Sequence, residues 1–278
     1  MKVAAAQTEV SADISKNAEI IKRVLSQAAS EGARLVNFCE GALSGYSKMQ
    51  IASPDDWVSF DWERQEAELK GIADLCGKLG IFAVVGGAHR LTVTHRPHNS
   101  LYIFSDRGTL LTRYDKRFLS HSENADWYTP GRDPIIFEVN GYRFGCAICI
   151  EAQFYEVFVE YERLDVDAVL FSSYGLPGRF QIALRAHASL NCLWIIAATP
   201  AQRSEQGPAG ILGPDGKWVT LCPTSGESTF VLAELDRAEP AYEVPMKLAR
   251  PGRRLARLGD IYRERMADDP RSFDREQY

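Results

Sequence analysis

The sequence predicts an α/β protein in which two mixed sheets pack face to face between outer helices, an αββα sandwich. Apolar segments typical of buried strands alternate with amphipathic helical segments in the first third of the chain. The same alternation returns in the second half, and two hairpin signals lie between the two regions. No linker rich in proline, glycine or serine divides the chain, so one domain is expected over residues 1–250.

The N-terminal part has the order strand, helix, strand, helix, strand. Strands are predicted at residues 2–7, 34–38 and 81–86, and helices at residues 15–30 and 62–79. Gly32 and Gly80 follow the two helical patterns and are typical of helix ends. This order indicates a largely parallel sheet that is covered by helices.

Two antiparallel hairpins are predicted next. The first joins strands at residues 100–104 and 109–114, and the second joins strands at 135–139 and 142–148 through Asn140-Gly141, which favours a tight turn. The later predicted elements are helices at 154–163 and 180–192 and strands at 167–172, 193–198, 209–212, 217–221 and 228–235. Residues 251–278 are dense in arginine and acidic residues, so this tail is expected on the surface or against a partner subunit.

Composition disfavours several classes of partner. The formal net charge of −5 lacks the basic excess of a nucleic-acid-binding protein. No apolar run approaches the length of a membrane span, and the first residues do not have the pattern of a signal peptide. The six cysteines are scattered through apolar segments rather than spaced as a disulfide framework, so buried, reduced thiols in a cytoplasmic protein are expected.

Cys149 is the most informative candidate for a reactive residue. It closes an apolar run, and a polar, helix-like stretch follows, so helix N-terminal amides are expected to favour its thiolate. Glu40 and Lys116 also come just after predicted strands. Taken singly, each of these residues is more often structural or solvated than catalytic. Together they supply the thiol, carboxylate and ammonium that acyl transfer through a thioester requires.

The chemistry assigns a role to each group. Glu40 would take the thiol proton and later activate water, while Lys116 and the backbone N–H of Ile150 would stabilise the oxyanion. Glu123 lies seven residues beyond Lys116 and would orient the ammonium or contact the leaving group. The target is a carbonyl or nitrile carbon attached to nitrogen.

Three ordered motifs surround these residues. They are Phe38-Cys-Glu40-Gly-Ala-Leu-Ser-Gly-Tyr46, then Asn99-Ser-Leu-Tyr with Tyr114-Asp-Lys116, and finally Gly145-Cys-Ala-Ile-Cys149-Ile-Glu-Ala-Gln-Phe-Tyr-Glu156. On these motifs the chain resembles the nitrilase superfamily of carbon–nitrogen hydrolases along nearly its whole length. The resemblance implies an αββα sandwich, a Glu40-Lys116-Cys149 triad supported by Glu123, a mechanism without cofactor or metal, and homodimers that assemble further.

Departures from the family pattern bear on the substrate. Ala152 and Gln153 lie where branches that bind a substrate carboxylate often carry arginine, which disfavours an N-carbamoyl amino acid unless Arg179 or another arginine reaches the site. The Trp-Glu pair of true nitrilases is also missing after Cys149. The expected substrates are therefore water and a small amide that is uncharged or weakly charged. A nitrilase, an N-carbamoyl amidohydrolase and a catalytically idle binding protein of the same fold are the alternatives.

Four residues are predicted to contact the substrate. Ser173 and Tyr174 follow the strand after the nucleophile and are expected to line the pocket. Tyr46 and Trp127 are further candidates, and each is equally consistent with packing.

Two other patterns suggest different chemistry. Cys146-Ala-Ile-Cys149 is formally a CxxC motif, but Cys146 lies inside an apolar strand, which disfavours disulfide cycling. His95 and His98 might suggest a metal, but no cysteine or carboxylate cluster joins them and Pro97 breaks any helical face. No metal site is therefore predicted.

Overall fold

Twelve strands and seven α-helices make up the regular structure of residues 1–276, the part of the chain that the computed structural model describes. The strands are β1 (Lys2–Thr8), β2 (Leu35–Asn37), β3 (Phe82–His89), β4 (His98–Phe104), β5 (Leu110–Asp115), β6 (Phe137–Val139), β7 (Tyr142–Ile148), β8 (Ala168–Ser172), β9 (Trp194–Pro200), β10 (Gly210–Leu212), β11 (Trp218–Leu221) and β12 (Thr229–Glu234). The helices are α1 (Ile14–Ser30), α2 (Asp56–Ser59), α3 (Trp62–Leu79), α4 (Tyr155–Arg163), α5 (Gly178–Asn191), α6 (Arg250–Leu258) and α7 (Asp260–Arg263). All strands and α1 to α5 belong to one compact unit, Met1–Asp236, and a second unit begins at Arg237.

The strands form two mixed halves of six strands each. The first half has the order β5-β4-β3-β2-β1-β12, in which β1, β2 and β3 are parallel and the other pairs antiparallel. The second half has the order β6-β7-β8-β9-β10-β11, in which β7, β8 and β9 are parallel. A short parallel pairing of Gln7 and Thr8 with the end of β9 joins the halves. The prediction of an α/β fold with mixed sheets is therefore confirmed.

Polar contacts cross from β2 to the second half. Asn37 is fully buried, and its Nδ2 donates to the carbonyl oxygens of Ile196 at 2.9 Å and Phe171 at 3.1 Å. In the other direction, the Ser172 hydroxyl donates to the carbonyl oxygen of Phe38 at 2.7 Å. Because a buried amide is costly without partners, these bonds fix how β2 lies against β8 and β9.

The helices of the first unit cover both halves with apolar faces. Helix α1 begins after Asp13, whose carboxylate accepts the N–H groups of Ser15 and Lys16 at 2.8 and 3.1 Å. Helix α3 has the predicted bounds and ends at Gly80, which has the left-handed φ of +64° typical of this position. On the second half, α4 and α5 pack in a core that includes Phe158 and Leu184.

Several elements differ from the sequence prediction. Strand β3 continues to His89, because its last residues pair with the start of β4 at His98. The unit that begins at Arg237 contains α6 and α7, and α6 accommodates Pro251 because the proline lies in its first turn. The domain boundary at residue 250 stays a prediction. Within residues 1–276, no helix combines the length and apolar character that crossing a bilayer requires.

The backbone around Glu40 passes close to β3 at Gly86. A Cβ atom on Gly86 would lie 2.1 Å from the carbonyl oxygen of Cys39 and 2.8 Å from the nitrogen of Gly41. Both distances are shorter than real Cβ contacts, and both partners are backbone atoms that cannot rotate away. Glycine at this position therefore lets the Glu40 turn rest directly on the sheet.

Gly86→Ala is expected to lower the free energy of unfolding by about 1–3 kcal/mol, because the added methyl group forces the backbone of residues 39–41 off the sheet. Urea denaturation of the variant and the parent measures this difference. Gly178→Ala is the matched control, since a Cβ there meets open space at the start of α5, and its expected change is within about 0.5 kcal/mol. Equal unfolding free energies for the two variants would contradict the close contact.

Candidate active site

Glu40, Lys116 and Cys149 come together at one edge of the sheets. Each follows the carboxyl end of a strand: Glu40 comes after β2, Lys116 after β5 and Cys149 after β7. The Lys116 ammonium donates to Glu40 Oε1 at 3.0 Å, and both side chains are fully buried. Glu40 and Lys116 both act electrostatically on the Cys149 thiol. The structure thus places the predicted base, cation and nucleophile next to one another.

Lys116 is held between two carboxylates. Its Nζ also donates to Glu123 Oε1 at 2.8 Å and to Oε2 at 2.9 Å. Burial alone would lower the pKa of Lys116, but attraction to the carboxylates of Glu40 and Glu123 outweighs burial and raises the pKa above its usual value. Lys116 is therefore a permanent cation at the centre of the site.

Glu123 lies on a short π-helical turn, Glu123–Trp127. The backbone N–H of Ser120 donates to its Oε2 at 2.8 Å. Burial would raise the pKa of Glu123, but attraction to Lys116 and these hydrogen bonds outweigh burial and lower the pKa. Glu123 is therefore an anion that keeps the ammonium in place.

Glu40 has the opposite character. Its Oε1 accepts from the Asn99 side chain at 2.7 Å, and its Oε2 accepts the backbone N–H of Tyr174 at 2.9 Å. Burial raises the pKa of Glu40 despite the attraction of Lys116, and repulsion from Glu123 adds to the rise. Two neighbouring carboxyls whose pKa values are driven apart are typical of a site that divides acid–base and electrostatic roles.

Cys149 has a left-handed backbone, with φ of +52°, and begins the short 3₁₀ helix Cys149–Gln153. The expectation that helix amides favour its thiolate stays a prediction, because other effects set the overall pKa. Burial, followed by repulsion from Glu40, raises the pKa of Cys149 to about 12, while attraction to Lys116 and a hydrogen bond with Ser173 only partly offset these effects. A five-residue 3₁₀ turn supplies too few aligned amides to outweigh a buried carboxylate. The raised pKa favours the thiol form of Cys149, the predicted nucleophile.

Ile150 is the second residue of this 3₁₀ turn. The first N–H groups of a helix have no carbonyl partner within the helix, so the Ile150 N–H is open to an external acceptor. It directly follows the thiol-bearing residue along the chain, which suits the predicted role beside Lys116.

Tyr46, Tyr174 and Ser173 form part of the surroundings of Cys149. The rings of Tyr46 and Tyr174 stack with centroids 4.5 Å apart. Burial raises the pKa of Tyr46, and repulsion from Glu40 and Glu123 adds to the rise, which is consistent with a position near these carboxylates. Ser173 bonds the Cys149 thiol and donates from Oγ to the carbonyl oxygen of Gly175 at 2.6 Å.

Trp127 packs in an apolar cluster with Trp57 and Ala88, and its contact with substrate stays a prediction. Its neighbour Tyr128, which the sequence analysis did not identify, lies close enough to Glu40 and Glu123 for their charges to affect its pKa. Burial raises the pKa of Tyr128, and Glu40 and Glu123 add to the rise. Tyr128 belongs to the same apolar cluster as Trp127 and directly follows the irregular π turn, and no spacing rule in the sequence predicts its place near the carboxylates.

Asn99 and Glu151 are two further site residues that the sequence did not single out. Asn99 Nδ2 reaches both Glu40, at 2.7 Å, and Glu123, at 3.5 Å, and the Asn99 carbonyl accepts the N–H of Lys116 at 2.8 Å. Glu151 is fully buried although it opens a polar stretch. Asn99 is the first residue of the second motif, and this position in the motif could have identified Asn99 as a site residue.

The CxxC motif and the histidine pair, which suggested other chemistry in the sequence, lie in different surroundings. Cys146 is fully buried, and burial raises the pKa of its thiol. His95 and His98 line a cavity of about 790 Å³ together with Arg113 and Asp115. Within residues 1–276, no three or more His, Cys, Asp or Glu side chains are grouped in a way that could hold a metal ion.

Comparison with known proteins identifies the family. Residues 2–241 match the family described as Carbon-nitrogen hydrolase. The chain belongs to this family. The chloroplastic omega-amidase of Arabidopsis thaliana is 24% identical over 247 residues, which cover 83% of this chain and 66% of that protein. The chain thus spans just under two thirds of that relative's length.

Solved structures of a nitrilase-superfamily amidase share the fold of this carbon–nitrogen hydrolase. A Cys-to-Ala mutant of the amidase from Nesterenkonia AN1 superposes with a TM-score of 0.76 at 18% identity, over 96% of this chain and 97% of that one. A Glu-to-Gln mutant of the same amidase superposes with a TM-score of 0.71 at 19% identity, over 87% of this chain and 97% of that one. The resemblance to the nitrilase superfamily is confirmed.

Glu40→Gln is expected to make Cys149 more reactive toward iodoacetamide at mildly alkaline pH. Removing the neighbouring negative charge lowers the pKa of the thiol from about 12, so a larger fraction is thiolate at a given pH. Each unit by which the pKa falls increases the thiolate fraction about tenfold. Stopped alkylation followed by peptide mass spectrometry measures the rate at Cys149, and Cys149→Ala controls for other thiols. A slower rate in Glu40→Gln would show that the carboxylate does not suppress ionisation.

Proposed function

We propose that this protein hydrolyses the carbon–nitrogen bond of a small amide through a thioester on Cys149. The observation that carries the proposal is the buried Lys116 ammonium, which lies between the carboxylates of Glu40 and Glu123 and within the field of the Cys149 thiol. A carboxyl of raised pKa, a permanent cation and a protonated thiol are the groups that general-base acyl transfer requires.

In the acylation step, Glu40 takes the proton from Cys149 Sγ as the sulfur attacks the amide carbon. The new C–S bond converts the carbonyl oxygen to an oxyanion, which Lys116 and the Ile150 N–H stabilise. Glu40 then passes its proton to the leaving nitrogen, the C–N bond breaks, and ammonia or an amine departs. The product on the protein is a thioester.

In the deacylation step, Glu40 takes a proton from water as the water oxygen attacks the thioester carbon. The tetrahedral intermediate is stabilised by the same two donors, and it collapses with cleavage of the C–S bond. Cys149 leaves as the thiolate and recovers the proton from Glu40, which releases a carboxylic acid. The raised pKa of Glu40 suits a group that takes up and returns a proton in each step.

Two relatives support the amide as substrate. One is named an omega-amidase, and the other is an amidase whose Glu-to-Gln mutant shows Michael addition of acrylamide at its active site cysteine. We extend the proposal to a cytoplasmic homodimer. All six cysteines are free thiols, which fits a reducing compartment, and α4 and α5 present exposed apolar side chains such as Tyr155 and Ile182.

Cys149→Ala is expected to abolish ammonia release from a panel of amides, nitriles and N-carbamoyl compounds, because no thioester can form. Intact-mass analysis of the parent during turnover should show an acyl adduct that maps to Cys149. Cys146→Ala is the matched control, since this thiol lies on β7, the strand that ends just before Cys149, but is enclosed in the core, and its turnover should be within about threefold of the parent. Ammonia release by Cys149→Ala would exclude the mechanism. If the parent protein shows neither ammonia release nor an acyl adduct, the alternative of a binding protein with the same fold is favoured.

A second substrate class, amides that carry a carboxylate, is favoured by Arg203. Its guanidinium lies 5.9 Å from the centre of the Tyr174 ring, and it donates to the thioether of Met49, a weak acceptor. Arg179, in contrast, stacks on Phe180 at the start of α5. An arginine over the aromatic pair at Cys149 can supply the cation that the residues after the nucleophile lack.

Arg203→Met is expected to raise the KM for carboxylate-bearing amides about 10- to 100-fold, as the loss of one charge-assisted hydrogen bond predicts, and to leave neutral amides unchanged. Ammonia release from paired substrates of equal length, one anionic and one neutral, measures the ratio. Arg179→Met is the control arginine. An equal effect on both substrates would exclude a role for Arg203 in charge recognition.

A further inference from the structure

Glu151 is a buried carboxylate whose oxygens bind two separate parts of the chain. Its Oε1 accepts the backbone N–H groups of Arg117 at 2.8 Å and Phe118 at 3.1 Å. Its Oε2 accepts the backbone N–H of Ile148 at 2.7 Å. The Tyr114 hydroxyl donates to both oxygens, at 2.8 and 2.9 Å. Every one of these partners donates a proton to the carboxylate.

These contacts connect the residue after the cation with the residue before the nucleophile. Arg117 directly follows Lys116, and Ile148 directly precedes Cys149. The strands that carry them, β5 and β7, lie in different halves and are not neighbours in the sheet order. Glu151 therefore supplies a direct link between two segments that no strand pairing holds together.

The same carboxylate constrains the unusual backbone of Cys149. The backbone N–H of Ile148 donates to the side chain of Glu151, three residues ahead, as in a capping box. Cys149, which has the left-handed backbone, lies between these two hydrogen-bonded residues. A non-glycine residue in this conformation persists only when its surroundings hold it there. Glu151 holds it from the side that faces Lys116.

We propose that Glu151 is a positioning residue that sets where the Cys149 thiol lies relative to the Lys116 ammonium. The proposal rests on the proposed function for its kinetic consequence, but the placement itself is a property of the protein without substrate. Ionised oxygens make the strongest bonds to these donors. Three of the donors are backbone N–H groups, which cannot act as hydrogen-bond acceptors. If glutamine replaces Glu151, its NH2 group takes the place of one carboxylate oxygen and faces a donor with which it cannot form a hydrogen bond.

Glu151→Gln therefore tests the proposal with little change of volume. The pH dependence of Cys149 alkylation by iodoacetamide is expected to move to higher pH, because a thiol displaced from Lys116 loses its attraction. The kcat for an amide that the parent hydrolyses is expected to fall about 10²-fold with little change in KM, since small misplacements of reacting groups have effects of this size. A purely structural role would lower the melting temperature and leave the alkylation profile unchanged.

Glu160→Gln is the matched control. The Glu160 carboxylate pairs with the Arg117 side chain at 2.7 Å, so the variant perturbs the same neighbour without touching the segment of Cys149. Its alkylation profile and kcat are expected to equal those of the parent. A folded Glu151→Gln that also retains the parent profile and kcat would overturn the proposal.

Tyr114→Phe decides the question if Glu151→Gln does not fold. This variant keeps the carboxylate and its three backbone bonds but removes the hydroxyl shared by both oxygens. The alkylation profile is expected to shift in the same direction by a smaller amount, and a profile equal to that of the parent would overturn the proposal. Because alkylation needs no substrate, its result stands even if the amide panel shows no turnover and the proposed function fails.

Discussion

The fold depends on keeping one ammonium buried between two carboxylates. Removing charges of this kind from water costs several kcal/mol per ion, and the cost is offset only when each charge finds partners at short range. Lys116 has them in Glu40 and Glu123, and Asn99, Ser120 and Tyr174 complete the hydrogen bonds of the two carboxylates. The strand ends that supply these groups therefore have to meet at one place.

Charge balance in this cluster explains where the proton resides. With Glu40 and Glu123 both ionised, Lys116 leaves the cluster with one negative charge, and a thiolate at Cys149 would add a second in a poorly solvated place. The shared environment accordingly raises the pKa of both Glu40 and Cys149, so the two groups compete for one proton. Lys116 and Glu123 take no part in this competition, because each stabilises the charged form of the other.

The sequence predicts the parts of the site that depend on strand ends. Glu40, Lys116 and Cys149 each follow an apolar segment. Glu40 and Cys149 come after strands of the parallel groups β1 to β3 and β7 to β9. Lys116 comes after β5, which runs in the same direction as β3 because two antiparallel pairings separate the two strands. The bounds of α3 were also predictable, because apolar spacing and a final glycine are local signals.

Other features depend on contacts between distant residues. The raised pKa of the Cys149 thiol does not follow from its own helix, because its causes are burial and then repulsion from Glu40, which lies far away in the sequence. Glu151 opens a polar stretch of the sequence, and the approach of the segment after Lys116 makes it a buried acceptor. Tyr128 is likewise brought near Glu40 and Glu123 by the tertiary fold, and no sequence signature predicts it.

The contact at Gly86 has a consequence for how substrate preference can change. The Glu40 turn lies on backbone atoms of a central strand, whereas Tyr46 and Tyr128 extend from irregular segments. The proposed base Glu40 thus rests on the sheet, whereas Tyr46, a predicted substrate contact, lies in an irregular segment, and such segments tolerate insertion and replacement far better than strands do. Substitutions in these irregular segments can therefore change substrate preference while Glu40 keeps its position on the sheet.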